Sequence, residues 1–265
     1  MSLNTPSLPI TVVVNSTDYY SEAWDPFFKL LEVFWPNRTI PVVLNTETKS
    51  PDWLPAGATV HHNKMPGDKK MWPECLWSVL DSVESPYILY LQEDYFLNGP
   101  VSEIAMKQMV EILDSGDADV VRSAGTGLFD DYQASSHAGW VEVTRNHGYY
   151  ACTQATLWRK EALRDLVVSG ETAWEFERHG TKRARKQLKG VYAPDPEVFP
   201  GMDSRVFPYV ATGIVKGKWF RPAVDPLFKE HGINVDFSIR GFYEPTPWEQ
   251  FVQRQRSRLR RLIMR

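Results

Sequence analysis

Over the first hundred positions, short apolar runs alternate with longer segments of helical spacing. Residues 10–14 (ITVVV) are β-branched and predict a first strand, which stops at the polar set Asn15-Ser16-Thr17-Asp18. Residues 19–35 carry Trp24, Phe27, Phe28, Leu31 and Phe34 at helical spacing, with Pro26 in a position that suits a first turn. A second strand, at 40–44, again ends in polar residues, Asn45-Thr46-Glu47, and a third is predicted at 59–62. A helix at 72–83 leads into YILYLQEDYFL, residues 87–97, which lies between Ser85-Pro86 and Asn98-Gly99-Pro100. An apolar run of that length between turn signals reads as a buried central strand. The alternation predicts an α/β protein: a mostly parallel central sheet with a Rossmann-like N-terminal half, flanked by helices.

Past residue 100 the pattern changes character. An amphipathic helix is predicted at 101–113, a strand at 119–123, and a Gly-, Ser- and Asp-rich mobile loop over a site at 125–139. Strands at 140–144 and 149–158 follow, then helices at 160–168 and 173–187, the latter capped by Thr172, and a late strand at 206–215. Residues 248–265 predict a basic C-terminal helix. With no repeat, low-complexity stretch or strong linker, one domain is expected over 1–265.

Composition narrows the classes. A hydrophobic fraction of 43% and a net charge of −3 suit a soluble α/β domain and give no reason to expect a nucleic-acid partner. Two cysteines, Cys75 and Cys152, make no disulfide framework, so a reducing compartment is expected. The start of the chain lacks a basic region followed by a long apolar run, and no apolar stretch reaches about 18 residues. A cytoplasmic protein without a signal peptide or membrane span is the expectation. The tail 254–265 (RQRSRLRRLIMR) surrounds Leu259, Leu262 and Ile263 with arginines. That suits peripheral contact with an anionic membrane surface, and equally a helix docked on the domain.

The chemistry concentrates at predicted strand ends. Glu93 and Asp94 are adjacent acids closing the central strand, and in open α/β sheets that end is where ligands bind. Carboxylate oxygens there suit a divalent metal that in turn holds a diphosphate; a solvated loop is the alternative. Asn15, Thr17, Asn45 and Glu47 would face the same crevice and offer hydrogen bonds to a base and ribose, although turn chemistry alone explains the residue types equally well. Lys69 and Lys70 stand between a turn and a helix, where they suit a diphosphate or simply a solvated helix start.

At QEDYF the chain resembles the GT-A class of nucleotide-sugar glycosyltransferases, family 2-like bacterial members among them. Their nucleotide-binding half ends in a strand bearing an Asp-x-Asp motif. Gln92-Glu93-Asp94 stands in that place, with Gln92 where the family has its first acid. The resemblance implies that Asp94 contacts the metal, Mn²⁺ or Mg²⁺, with Glu93 as substitute for the missing acid. A second likeness covers 151–185, where the family places an acid pair at the start of a helix, one of them the base of inverting members. In Trp174-Glu175-Phe176-Glu177 it implies Glu175 as catalytic base, with Glu171 and Glu177 as competitors. Late loops in the family close over the donor, which implies Lys218 as a phosphate contact and His231 as a third metal contact. The implied protein has a nucleotide-sugar half over about 10–100 and an acceptor half over about 101–247. It would move a sugar to a glycan or lipid-linked acceptor, as in capsule or lipopolysaccharide synthesis. A sugar-phosphate nucleotidyltransferase would want a Gly-rich loop where Asn15-Ser16-Thr17-Asp18-Tyr19 stands. A non-catalytic carbohydrate- or nucleotide-binding protein is the other alternative.

Overall fold

The structure is a computed structural model and describes residues 8–124, 132–195, 197–198 and 206–247. Where one domain is expected from the sequence, the residues group into two compact units, Met1–Ala211 and Thr212–Arg265.

The first unit is built on the predicted alternation. Strand β1 (Ile10–Asn15) is buried along its whole length and is followed, after a 3₁₀ turn, by helix α1 (Trp24–Phe34). Strands β2 (Val42–Thr46) and β3 (Ala58–His62), helix α2 (Trp72–Ser82) and strand β4 (Tyr87–Gln92) complete the N-terminal half. Helix α1 turns Phe27, Phe28, Leu30 and Leu31 inward, and each such apolar side chain contributes roughly 1.5–3 kcal/mol when fully buried. Helix α3 (Glu103–Ser115) starts at an N-cap, Ser102, whose hydroxyl accepts from the Ala105 N–H at 3.2 Å. It stops at Gly116, whose φ of 85° continues the chain in the left-handed region.

Strands β5 (Val120–Arg122), β6 (Tyr132–Ala134), β7 (Trp140–Val143) and β8 (Thr156–Arg159) follow. Helix α4 (Lys160–Leu166) comes next. A continuous helical stretch runs through α5 (Ala173–Glu175), a π-helical turn (Phe176–Gly180) and α6 (Thr181–Gln187), and β9 (Val191–Pro194) closes the series. The sheet order is β3-β2-β1-β4-β8-β5-β9-β7-β6. Among the described residues, β7 and β8 run against the common direction of the other strands, so the sheet is mostly parallel. The N-terminal four strands are parallel throughout.

Several expectations change. The strand predicted at 149–158 is confined to Thr156–Arg159, because Ala151 exchanges its backbone hydrogen bonds with the Thr181 hydroxyl (3.1 Å each way) rather than with a neighbouring strand. Tyr132–Ala134, inside the loop predicted at 125–139, is a strand paired with β7, while 125–131 lies outside the described residues. The late strand at 206–215 reduces in this unit to a bridge between Tyr209 and Leu97. The short strand β9 had no counterpart in the sequence reading.

The second unit is described by itself. It holds a hairpin of β10 (Ile214–Val215) and β11 (Lys218–Trp219), turned through Lys216 and Gly217 at positive φ. Helix α7 (Arg221–Glu230), also not foreseen, packs Phe228 against Trp219, ring centroids 5.9 Å apart. Trp219 also meets Phe237 edge-on, and the Arg221 guanidinium lies 3.6 Å over the Phe242 ring. The basic tail at 248–265, with its expected membrane contact, lies outside the described residues.

Candidate functional site

Register places the polar strand ends side by side. In the parallel half, Asn15 pairs with Asn45 on one side and Gln92 on the other, and Asn45 pairs with His61. These residues therefore form one row across the C-terminal edge of β3, β2, β1 and β4, where the apolar strands stop. Asn45 is fully buried and its Nδ2 donates to Asn15 Oδ1 (2.8 Å) and to the Cys75 carbonyl (3.0 Å). Asn63 Nδ2 donates to Asn45 Oδ1 at 3.1 Å, so three amides are wired together. Asn63 and Asp18 belong to this edge although the sequence reading had not singled them out. The signal for Asn63 was its position one residue past a predicted strand.

Glu47, also buried, accepts from the Asp18 N–H. Burial raises its carboxyl above the usual range, and the nearby Asp18 charge adds to the rise. Burial acts in the same sense on Asp18, but bonds from the Thr48 hydroxyl and the Thr48 and Lys49 N–H groups outweigh it and lower its carboxyl. Thr17 caps the 3₁₀ turn through its backbone, its carbonyl accepting from Tyr20 N. The first of these loops is thus tied by its own hydrogen bonds.

Strand β4 ends at Gln92, and Gln92 to Tyr95 form a tight turn closed by Tyr95 N to Gln92 O at 3.2 Å. Glu93 and Asp94 occupy the turn, each 7% exposed. Because β8 runs against β4, with Tyr90 opposite Thr156, residues just before Thr156 lie past the same end of β4. Thr153 sits there. The buried Tyr95 hydroxyl donates to the Thr153 carbonyl at 2.9 Å. Thr153 in turn donates its N–H and its hydroxyl to Glu177 Oε1, both at 2.8 Å. Burial, together with the charges of Tyr209, Asp94 and Glu177 among its neighbours, pushes the Tyr95 phenol well up, so it serves as a neutral donor. The Tyr209 ring stacks at a tilt on Tyr95 (4.9 Å), and its hydroxyl donates to Gln154 Oε1 at 2.7 Å. The turn holding the acids and the helix bearing Glu177 are therefore connected through a short buried path.

Glu175 stands differently. Its Oε2 accepts from Thr172 N (2.9 Å) and Thr172 Oγ1 (3.0 Å), while its own N–H donates to Thr172 Oγ1 at 3.2 Å, a reciprocal capping box. Lys70 Nζ lies 2.5 Å from the same oxygen. The Lys70 bond first, and the Thr172 bonds after it, hold this carboxyl down at about 2. Glu171 is held by a two-pronged bond from Arg183 (2.8 and 2.6 Å) and by His179 at 3.2 Å. Lys69 is exposed in the 3₁₀ turn before α2. Lys218 is exposed in β11, and His231 follows α7; both belong to the second unit.

Among the described residues no group of three or more His, Cys, Asp or Glu side chains gathers as a complete metal cage. The donor set at β4 still fits a hard divalent cation: adjacent carboxylates with oxygen ligands only, leaving coordination positions for phosphate and water. No described helix is long and apolar enough to cross a membrane.

No protein-family model and no curated protein sequence matches the chain. Solved structures resemble it in fold. A 1–349 segment of S. aureus TarS is 14% identical with a TM-score of 0.48, covering 87% of this chain and 68% of its own. Glucosyl-3-phosphoglycerate synthase from Mycobacterium tuberculosis, in complex with Mn²⁺, uridine diphosphate and phosphoglyceric acid, is 12% identical with a TM-score of 0.42, covering 69% of this chain and 67% of its own. CMP:2-keto-3-deoxy-manno-octonic acid synthetase complexed with CTP is 12% identical with a TM-score of 0.40, covering 84% and 97%. The GT-A-like α/β architecture expected from the sequence, a parallel βαβ half whose last strand carries the acids into a mixed second half, is the architecture found.

Proposed function

We propose that the protein transfers a sugar from a nucleotide-sugar donor to a hydroxyl group of a glycan or glycolipid acceptor, with inversion at the anomeric carbon. The observation that carries this reading is the path Asp94–Tyr95–Thr153–Glu177. It sets two carboxylates with different surroundings at one edge of the sheet. The wired amides Asn15 and Asn45, with Thr17 and Glu47, offer donors and acceptors to a base and ribose at the C-terminal end of the strands. Lys69 and Lys70, at the start of α2, are the cations we assign to the diphosphate.

Asp94, with Glu93, would hold the divalent cation. When bound, such a cation supplies positive charge to the departing diphosphate. We assign the base to Glu177 rather than Glu175. Glu175 is tied by Lys70 and Thr172, and a carboxylate held at about 2 is a weak base. Glu177 uses only Oε1 toward Thr153, leaving Oε2 without a described partner. In the reaction Glu177 Oε2 takes the acceptor's hydroxyl proton while that oxygen attacks the anomeric carbon and the bond to the diphosphate breaks. Thr153 holds the carboxylate in one orientation throughout, which is the geometric requirement of general base catalysis. Glu175 anchors Lys70 and the helix start.

The test is to incubate the protein with a panel of nucleotide sugars and Mn²⁺ or Mg²⁺ and to follow nucleoside diphosphate release. Release from at least one donor, abolished in Asp94→Ala, is expected. If no donor binds or turns over, the transferase reading is wrong and a non-catalytic binding protein takes its place.

A further inference from the structure

Arg122 ends β5 and is 6% exposed. A buried charge is costly unless an opposite charge and hydrogen bonds meet it. The buried side chain of Arg38 shows the usual solution: it meets the Glu32 carboxylate and the carbonyls of Trp35 and Ala56. Arg159, Arg164 and Arg183 each lie against a carboxylate as well. Arg122 meets none among the described residues. Its Nη2 donates to the Tyr149 carbonyl, and its Nε is buried without a hydrogen-bond partner among the described residues. Holding one carbonyl takes one donor, which an uncharged side chain supplies. A guanidinium brings a charge and four further N–H groups that this bond does not use.

Register places this charge at the edge that carries the carboxylates. Arg122 lies directly across Thr156 from Tyr90, two positions before β4 ends. It shares a sheet face with Val120, two positions back, which packs in the core with Tyr150 and Phe176. Phe176 immediately precedes Glu177. The stretch 149–153 then ties both groups: Tyr149 holds Arg122 through its carbonyl, and Thr153 holds Glu177 through its N–H and hydroxyl. Four residues of chain span at most about 14 Å, so the two anchor points stand within the reach of a short glycan. Between them Tyr150 is fully buried, its hydroxyl without a partner among the described residues. Burial raises that phenol, and the charges of Arg145 and Arg122 pull against the rise. It is a neutral donor in the field of Arg122. A cationic fork with a hydroxyl donor nearby is the chemistry that recognises a carboxylate or a phosphate.

We propose that Arg122 receives an anionic group, a carboxylate or a phosphate, carried by the acceptor near its reacting hydroxyl. The acceptor is then an acidic glycan rather than a neutral one. This rests on the transferase reading for the word acceptor, but the anion site itself does not require catalysis. An uncharged acceptor leaves the buried guanidinium without its counter-charge, so the same residue selects against it.

The test uses the full chain labelled with ¹⁵N-arginine, with Arg122→Lys to assign the Nε–H signal of Arg122. Glucuronate and glucose 6-phosphate, which carry the two anionic groups on one ring, are titrated in. Glucose is the uncharged counterpart and inorganic phosphate the bare anion. The Arg122 signal is expected to move saturably with at least one sugar acid, which should bind at least about tenfold more tightly than glucose. Arg122→Gln, whose amide can still donate to the Tyr149 carbonyl, should lose that factor. Arg122→Lys keeps the charge without the fork and should fall between the two. A signal that neither sugar acid moves, or glucose binding as tightly as both, overturns the proposal. So does Arg122→Gln binding the acids as the wild type does, or inorganic phosphate binding as tightly as the sugar acids, since the ring would then add nothing. The wild-type titrations decide even where a variant fails to fold. Nucleoside diphosphate release from nucleotide sugars is read separately. Release together with a silent Arg122 removes the acidic acceptor and leaves the transferase. A saturable Arg122 response without release from any donor upholds the anion site and removes the transferase.

Discussion

Lys70 Nζ lies 2.5 Å from Glu175 Oε2, joining the start of α2 to the start of α5 across 105 positions of sequence. The Lys70 bond is the largest cause holding the Glu175 carboxyl at about 2, against an ordinary value of 4.5. A carboxyl depressed by folding contributes stability above its unfolded value and loses it as pH falls through its folded value. Here that window runs from about 4.5 down to about 2. Lys70→Met should move the Glu175 carboxyl up toward 4.5, with the Thr172 bonds keeping it from arriving. Carboxyl ¹³C shifts followed against pH read the change directly. In melting curves the wild type should lose its advantage over Lys70→Met across the same window. An unchanged Glu175 titration in Lys70→Met would show that the ion pair does not form in solution.

In the proposed mechanism Glu177 is the base and Glu175 anchors the helix start. Glutamine keeps the shape of either side chain but cannot take a proton. Glu177→Gln should lower kcat by about 10²–10⁴, the usual contribution of a positioned general base, with nucleoside diphosphate binding retained. Glu175→Gln should cost less than about tenfold, because glutamine also completes a capping box. Steady-state kinetics of both variants on one donor and acceptor decide the assignment; a larger loss in Glu175→Gln would restore Glu175 as the base.

The parallel half and its acids were legible because their signals are local. The run YILYLQ can hardly be anything but a buried strand, and Glu93-Asp94 follows it directly. The strand-end asparagines were readable too, since register follows from strand length. The capping box was in plain sight as Thr172-x-x-Glu175, at the same acid that the resemblance offers as a base. The Thr153–Glu177 pair was hidden for a different reason. It depends on β8 running against β4, which brings residues 24 apart to one edge, and no periodicity encodes that reversal. Likewise 149–155 has the composition of a strand, but Ala151 bonds to the Thr181 hydroxyl and the Thr153 N–H to Glu177, partners that only the tertiary fold supplies.

In the proposed mechanism Asp94 is the carboxylate that would hold the cation. Asp94→Asn keeps the size of the side chain and removes its charge. Calorimetric titration with a panel of nucleoside diphosphates, with Mn²⁺ and then with a chelator, should show metal-dependent tightening in the wild type. In Asp94→Asn that tightening should fall by at least about tenfold, or about 1.4 kcal/mol. Equal tightening in both proteins would place the cation elsewhere or on the nucleotide alone.

Gly190 tests the support behind the site. It lies just before β9, and a Cβ there would stand 2.5 Å from the Asp117 carbonyl oxygen, inside any permitted contact. The obstacle is backbone, so it cannot swing aside as a long side chain would. The same stretch holds a compact set of bonds: Asp119 N to Gly190 O at 3.1 Å, Lys189 N to Asp119 Oδ2 at 2.8 Å, and Arg159 Nε to Asp119 Oδ1 at 3.2 Å. Gly190→Ala must push the Asp117 carbonyl away and stretch these bonds, at a cost of about 1–3 kcal/mol for overpacking. At the usual scaling for a domain of this size, that lowers Tm by about 2–4 °C per kcal/mol. Asp119 and Arg159 lie at the end of β5 and β8 away from Thr153, so the row Asn15–Asn45–Gln92 is untouched. Thermal melting should therefore show the loss while nucleoside diphosphate affinity at a temperature well below Tm stays near wild type. A variant that melts as the wild type does would mean that the Asp117 turn relaxes freely and carries none of the sheet's stability.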